Sequence, residues 1–178
     1  MYFLKQVCYV TFQNRQGVRM TGKEVNEARK DFSKSAFYMI QKLSIYTDQL
    51  AKNFFEIRNV DITHDEFIAI NQILNHPDIC QRDLAKLILR DRVRTGRILN
   101  SLEDKGFITR TNDTKNNRLV RRLRVTKSGK KLYETQFSIM EKVMEKLLEK
   151  FSEEQMFDLR ETLLQLEQAL SEIVEFNI

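Results

Sequence analysis

From residue 37 onward the apolar positions fall into blocks whose spacing changes from threes and fours to twos, and back again. Phe37, Ile40, Leu43, Thr47, Leu50, Phe54 and Ile57 form the stripe of one long helix. The polar run Lys23 to Lys34 begins it, Asn59 and Asp61 end it, and residues 1–24 carry no clear period. Thr63-His64-Asp65-Glu66 has the form of a capping box, in which the threonine hydroxyl takes the Glu66 amide and the Glu66 side chain reaches back. Phe67, Ile70 and Leu74 are the buried stripe of the helix that follows, and Asn75-His76-Pro77-Asp78 breaks it. A second short helix, about Gln81 to Leu89, would pack Leu84, Ala85 and Ile88. Asp91 is a suitable cap for a third, Arg92 to Lys105, with Thr95, Ile98, Leu99 and Leu102 turned inward. Gly106 supplies the left-handed residue that stops it.

After Gly106 the pattern is that of strands. Phe107 to Thr111 is short and β-branched, 112–117 is a polar turn, and Leu119 to Val125 returns. A hairpin placed after three short helices is a wing. Thr126 then caps a long helix with the stripe Tyr133, Phe137, Met140, Met144, Leu147 and Phe151. Ser152-Glu153-Glu154-Gln155 is a second capping box, after which Leu159, Leu163, Leu166, Leu170 and Ile173 continue. The fold class expected is therefore mainly α with a small β-hairpin wing: a winged helix-turn-helix with long N- and C-terminal helices. The terminal stripes are too large for so small a central unit to cover, and a second copy of the chain is the simplest cover. The expected division is 1–24, an extension of unassigned role; 25–60, an N-terminal dimerisation helix; 61–126, the winged unit; and 127–178, the C-terminal dimerisation helices.

Composition sharpens this picture. One proline, five glycines and no tryptophan in 178 residues favour long helices over a sheet with many turns. No apolar run is long enough to span a membrane as a helix. The opening segment is broken by Lys5 and Gln6 and lacks a basic leader, so it does not read as a signal peptide. Cys8 and Cys80 make no disulfide framework, and the cytoplasm is the expected setting. The net charge of +5 is unevenly spread: Cys80 to Lys131 holds 16 Lys or Arg against five acids, so the remainder is net acidic. A basic middle between acidic arms suits a region that meets a polyanion.

The run Asp83-Leu84-Ala85-Lys86-Leu87-Ile88-Leu89-Arg90-Asp91-Arg92 leads to Thr95-Gly96-Arg97-Ile98-Leu99-Asn100-Ser101-Leu102-Glu103-Asp104-Lys105-Gly106-Phe107-Ile108. With the later Val125-Thr126-Lys127-Ser128-Gly129-Lys130, this resembles the MarR (multiple antibiotic resistance regulator) family in order and spacing, over about residues 37–175. Two departures stand out. Asn116-Asn117-Arg118 occupies the wing tip where the family usually carries an aspartate two residues before the arginine, and the returning strand is one residue longer, which allows a bulge or shifted register. Thr95 and Gly96 replace a β-branched apolar residue and a threonine, and Gly96 would give room for close approach to DNA.

The resemblance implies a homodimeric, sequence-specific regulator of transcription on duplex DNA, a repressor in the first instance, acting on a pseudo-palindromic operator. In a helix-turn-helix the recognition helix enters the major groove by its N-terminal end, which here carries Arg92, Arg94 and Arg97. Arg94 and Arg97 share a face and are the expected base readers; Val93 or Thr95 would meet a thymine methyl, and Arg92 a phosphate. Gln81, Arg82, Thr63 and His64 are further phosphate candidates, and Lys115, Asn116 and Arg118 would reach the minor groove. The family also implies a small aromatic or anionic effector. Phe37, Tyr38, Tyr46, Phe54, Phe55 and Phe67 are candidate lining, although aromatics at helical spacing are more often core.

No cofactor or metal site is expected: only two histidines occur, and no helical pair of ligands. No phosphate loop, nucleophile elbow or zincin motif points to an enzyme. The alternatives are a protein-interaction module on the same scaffold and a redox-sensing regulator using Cys80. The first would be expected to lose the arginine face. The second would place its thiol in the first long helix, where Cys80 is not.

Overall fold

The computed structural model describes residues 31–115 and 118–174, the side chains of 114–120 excepted. In order these form a single 3-10 turn at Phe32–Lys34, α1 (Ala36–Ile57), α2 (His64–Asn75), α3 (Gln81–Leu87), α4 (Arg92–Asp104), β1 (Ile108–Lys115), β2 (Arg118–Val125), α5 (Lys127–Leu148) and α6 (Glu153–Ser171). By its contacts the chain separates into two compact units, residues 1–53 and 54–178.

In the first unit, Asp31 caps the 3-10 turn through the Ser33 amide, and the Ser35 hydroxyl accepts from the Tyr38 amide as α1 begins. Leu43, Ile45, Tyr46 and Leu50 are exposed along this helix.

The second unit is built around one apolar cluster. Phe55, Ile62, Phe67, Ile70, Ile73, Leu84, Ile98, Leu99, Leu102, Ile108 and Leu123 are buried together, with Leu132, Tyr133 and Met140 of α5 packed against them. The inward set expected for α4 is buried in full. Both capping boxes form: Thr63 with Glu66 at α2, and Ser152 with Gln155 at α6. Asp91 accepts the Arg94 amide and Thr126 accepts the Gly129 amide, so the four caps read from sequence set where four helices begin. Gly106 sits at φ 71, and the Phe107 amide returns to the Leu102 carbonyl at 2.9 Å, the closure that a left-handed residue permits.

The hairpin differs from expectation. Asn112 to Lys115 belong to β1 rather than to a turn, because pairing runs unbroken from Ile108 opposite Val125 to Lys115 opposite Arg118. There is no bulge in this register, and only residues 116–117 connect the arms. Cross-strand pairing outweighs the turn propensity of Asn112 and Asp113, and an Asp113–Arg122 ion pair at 3.0 Å spans the arms. The Leu123 amide also donates to the Ile79 carbonyl at 3.0 Å, and Cys80 forms an isolated antiparallel bridge to Arg122, so the segment before α3 is tied to the edge of the hairpin. Helix α3 ends two residues earlier than expected, because Leu89 is left-handed at φ 51 and the Arg90 amide turns back to the Ala85 carbonyl.

Candidate nucleic-acid interface

Helices α3 and α4 are joined by the turn at residues 88–91. Buried Leu84 and Ala85 on one side and buried Thr95, Ile98 and Leu99 on the other hold them together. The opposite face of α4 is left to solvent. Arg92 and Arg97 are exposed there, Val93 is 66% exposed, and the Arg94 side chain is 56% exposed. Among the described residues Arg97 has no ion pair or hydrogen-bonding partner through its side chain. The first two turns of α4 thus present three guanidinium groups and one exposed valine, each displaced from the buried face by the helical period.

Arg94 is held. Its Nε and Nη2 both donate to Oδ2 of Asp65, at 3.0 and 2.6 Å, and Oδ1 of the same carboxylate accepts from Arg90 Nη2 at 3.1 Å. Burial alone would raise the Asp65 pKa; the hydrogen bonds from Arg90 and Arg94 and their charges outweigh it and hold the carboxyl below its ordinary 3.8. In the sequence Asp65 stands inside the capping box of α2, and nothing local marks it as a partner of the arginines. It lies 29 residues from Arg94 on another helix, and no local period links them.

One of the expected contacts needs correction. Thr95 is buried, with its hydroxyl donating to the Asp91 carbonyl at 2.8 Å, so it faces the core and not a base. One residue cannot satisfy both readings given to it, and the inward period wins. Gly96 also lies close to Gln81: a Cβ there would sit 3.3 Å from Gln81 Nε2. That same nitrogen donates to the Arg92 carbonyl at 3.2 Å, which ties half-buried Gln81 to the start of α4. Its neighbour Arg82 remains exposed, with Nε 3.7 Å from Asp83.

Thr63 is exposed, its oxygen engaged by the Glu66 amide at 3.2 Å, and His64 is half-buried beside it. Asn116 and the side chains of Lys115 and Arg118 lie outside the described residues; the backbones of Lys115 and Arg118 are opposed at the hairpin end. Of the effector candidates, Phe67 is core: it stacks on Tyr133 at 4.9 Å and leans on Phe55, which meets Phe54 edge to face. Phe37 and Tyr38 are half-buried and Tyr46 is exposed, all three in the first unit. Cys80 is half-buried, and its thiol donates to Asp83 Oδ2 at 3.1 Å.

A three-helix unit with an exposed, arginine-bearing third helix, followed by a two-stranded hairpin, defines a winged helix-turn-helix protein. Residues 62–120 match the model of the MarR family. The HTH-type transcriptional regulator YybA of Bacillus subtilis (strain 168) is 33% identical over 78 residues, which is 44% of this chain and 51% of that one, so the match spans about half of the relative. Among solved structures, the MepR–DNA complex of S. aureus superposes with a TM-score of 0.66 at 26% identity, covering 76% of this chain and 96% of MepR. FabT of Streptococcus pneumoniae, in complex with DNA, gives 0.62 at 25% identity over 81% of this chain and all (100%) of FabT. The likeness to the MarR family therefore rests on residues 62–120 and on the fold shared with these DNA-bound proteins. No helix among the described residues is long and apolar enough to cross a membrane.

Proposed function

We propose that this protein is a transcriptional regulator that binds duplex DNA sequence-specifically as a homodimer on a pseudo-palindromic operator. The observation that carries the reading is the exposed face of the first two turns of α4, where Arg92, Val93, Arg94 and Arg97 stand clear of a core that fixes the helix behind them. Guanidinium groups on a helix of this width suit bidentate contact with guanine in the major groove, and the exposed valine suits a thymine methyl. Arg82, Thr63 and His64 supply flanking phosphate contacts, and the hairpin end carrying Lys115, Asn116 and Arg118 reaches the neighbouring minor groove. Two DNA-bound relatives of the same fold support this role.

The homodimer is supported by the uncovered apolar side chains of α6. Phe157, Leu159, Leu163, Leu164 and Leu170 are exposed there, and none of the residues of α6 is buried. A two-fold dimer would set its recognition helices about 34–36 Å apart, one turn of DNA. The regulator acts as a repressor, and a small aromatic or anionic effector that favours a misspaced dimer would release it.

Selection of bound genomic fragments with the purified full chain tests the reading, followed by titration against salt. Log affinity should fall by about 0.9 per phosphate contact for each unit of log salt. Arg97→Ala should weaken operator binding more than random-DNA binding. Equal loss on both would show that Arg97 meets only the backbone, and absence of any enriched fragment would remove sequence-specific binding altogether.

A further inference from the structure

We propose that Asp65, which lies on α2 and outside the helix-turn-helix pair, is a positioning residue that sets sequence selectivity by fixing the Arg94 guanidinium. The proposal rests on the DNA-binding reading above and names a residue that this reading does not use.

The geometry is a division of one arginine into two edges. Arg94 has five N–H donors in a rigid plane. Its Nε and Nη2 each spend one on Asp65 Oδ2, at 3.0 and 2.6 Å. The edge formed by Nη1 and the remaining Nη2 proton is left, and that pair has the spacing that guanine O6 and N7 accept. The residue is anchored at its other end too, since its backbone amide donates to Asp91 Oδ1 at 2.8 Å. Arg94 is therefore held at backbone and side chain by two carboxylates while half its side-chain surface stays open. An unheld arginine at this place would sample many rotamers and would settle as readily on a phosphate as on a base.

Asp65 itself is well placed to hold. Its side chain is four-fifths buried, and Arg90, on the turn that leads into α4, takes its other oxygen at 3.1 Å. One carboxylate thus ties α2 to both the approach and the first turn of the recognition helix. It also leaves a negative charge beside the arginines. That charge disfavours a phosphate drawn close to Arg94 and penalises non-specific contact more than a base contact made by the free edge.

A clamp of this kind has a signature that a merely structural ion pair lacks: its loss lowers specific affinity without lowering non-specific affinity. The test measures binding of the full chain to its selected operator and to a random duplex, by fluorescence anisotropy at fixed salt. For Asp65→Ala the expected result is a loss of about tenfold on the operator, the scale of one good base contact, with random-duplex affinity unchanged or raised. In the Arg94→Ala background the further change Asp65→Ala should have little additional effect on selectivity, because the two residues act as a unit. Asp65→Asn keeps the shape and one acceptor oxygen, and should fall between the two if Asp65→Ala folds poorly. A parallel rise on both duplexes would overturn the proposal, since Asp65 would then merely sequester Arg94. So would an equal selectivity loss with and without Arg94. If the unaltered protein binds no duplex, the proposed function fails first and this inference with it; if it binds and Asp65 variants keep the same operator preference, only the inference fails.

Discussion

Replacing Lys105 by methionine should destabilise the protein by about 3 kcal/mol, because the substitution removes the partner of a buried carboxylate. Glu66 is 3% exposed, and Lys105 Nζ lies 3.1 Å from both of its carboxylate oxygens. Removing one member of such a pair costs about 3–5 kcal/mol in general. The lower end applies here, since Glu66 keeps the Thr63 amide at 2.7 Å and so retains one donor. The second acid on Lys105, Asp61 at 3.3 Å, is 91% exposed, and exposed pairs contribute little. With a urea dependence of about 2 kcal/mol per molar, the unfolding midpoint should drop by roughly 1.5 M. The double variant Lys105→Met/Glu66→Gln should recover part of the loss, as a neutral amide tolerates the missing cation. pH dependence adds a second check. Burial works to lower the Lys105 pKa, but the bonds and charges of Glu66 and Asp61 outweigh it and raise it above 10.5. A raised lysine stabilises the fold fully below its unfolded value and loses that contribution as pH climbs through the folded one. The gap between the unaltered protein and Lys105→Met should therefore hold at neutral pH and close only above about 10.5. A midpoint shift worth less than about 1 kcal/mol, or a double variant as unstable as the sum of the singles, would refute the buried-pair argument.

Three further outcomes follow from single contacts. Gly129→Ala would place a methyl carbon 2.2 Å from the Phe107 carbonyl oxygen, backbone that cannot swing away, so thermal melts should show a loss of about 3 kcal/mol. Tyr133→Phe removes the hydroxyl that donates to Asn71 at 2.8 Å and should cost about 1 kcal/mol by urea denaturation. Burial holds the Tyr133 phenol above its ordinary 10.0, so whatever it contributes is present below that value and fades as pH rises beyond it. Leu163→Asp, on the exposed face of α6, should shift sedimentation toward the monomer while leaving helical content intact; an unchanged dimer would move the interface elsewhere.

What the sequence disclosed and what it hid divide along range. Thr63, Asp91, Thr126 and Ser152 were legible as caps because a cap needs only its next three residues. Likewise the buried set of α4 follows from one helical period. The hairpin was misjudged where local and cross-strand preferences conflict. Asn112 and Asp113 favour a turn by composition, but the partner strand pairs with them regardless, and no window of neighbouring residues contains that partner. The contacts of the site were hidden for the same reason. Asp65 with Arg94, Glu66 with Lys105 and Asp78 with Arg124 join residues 29, 39 and 46 positions apart. Thr95 shows the same conflict in miniature: its place on the recognition helix suggests a base contact, but the helical period turns it inward, where it is buried.

The basic stretch from Cys80 to Lys131 overstates the charge offered to a polyanion, and this has a measurable consequence. Arg90, Lys105, Arg110 and Arg122 have side chains no more than 35% exposed, and each is paired with an acid. Arg122 is spent three ways at the hairpin base: on Asp113, on the Asp78 carbonyl at 2.7 Å, and as the bridge partner of Cys80. Such groups build the scaffold on which Arg82, Arg92 and Arg97 are displayed, and they release no counterions when DNA binds. The salt dependence should therefore track displayed cations and not formal charge. Arg82→Gln should flatten the log–log slope by about 0.9 for each phosphate that Arg82 neutralises, with stability unchanged. Arg122→Gln should leave the slope where it was while lowering the melting temperature, since it removes the guanidinium that donates to the Asp78 carbonyl and pairs with Asp113. The reverse pattern, a flatter slope for Arg122→Gln and a stability loss for Arg82→Gln, would refute this division by showing that the exposed arginines hold the fold and the buried ones meet the ligand.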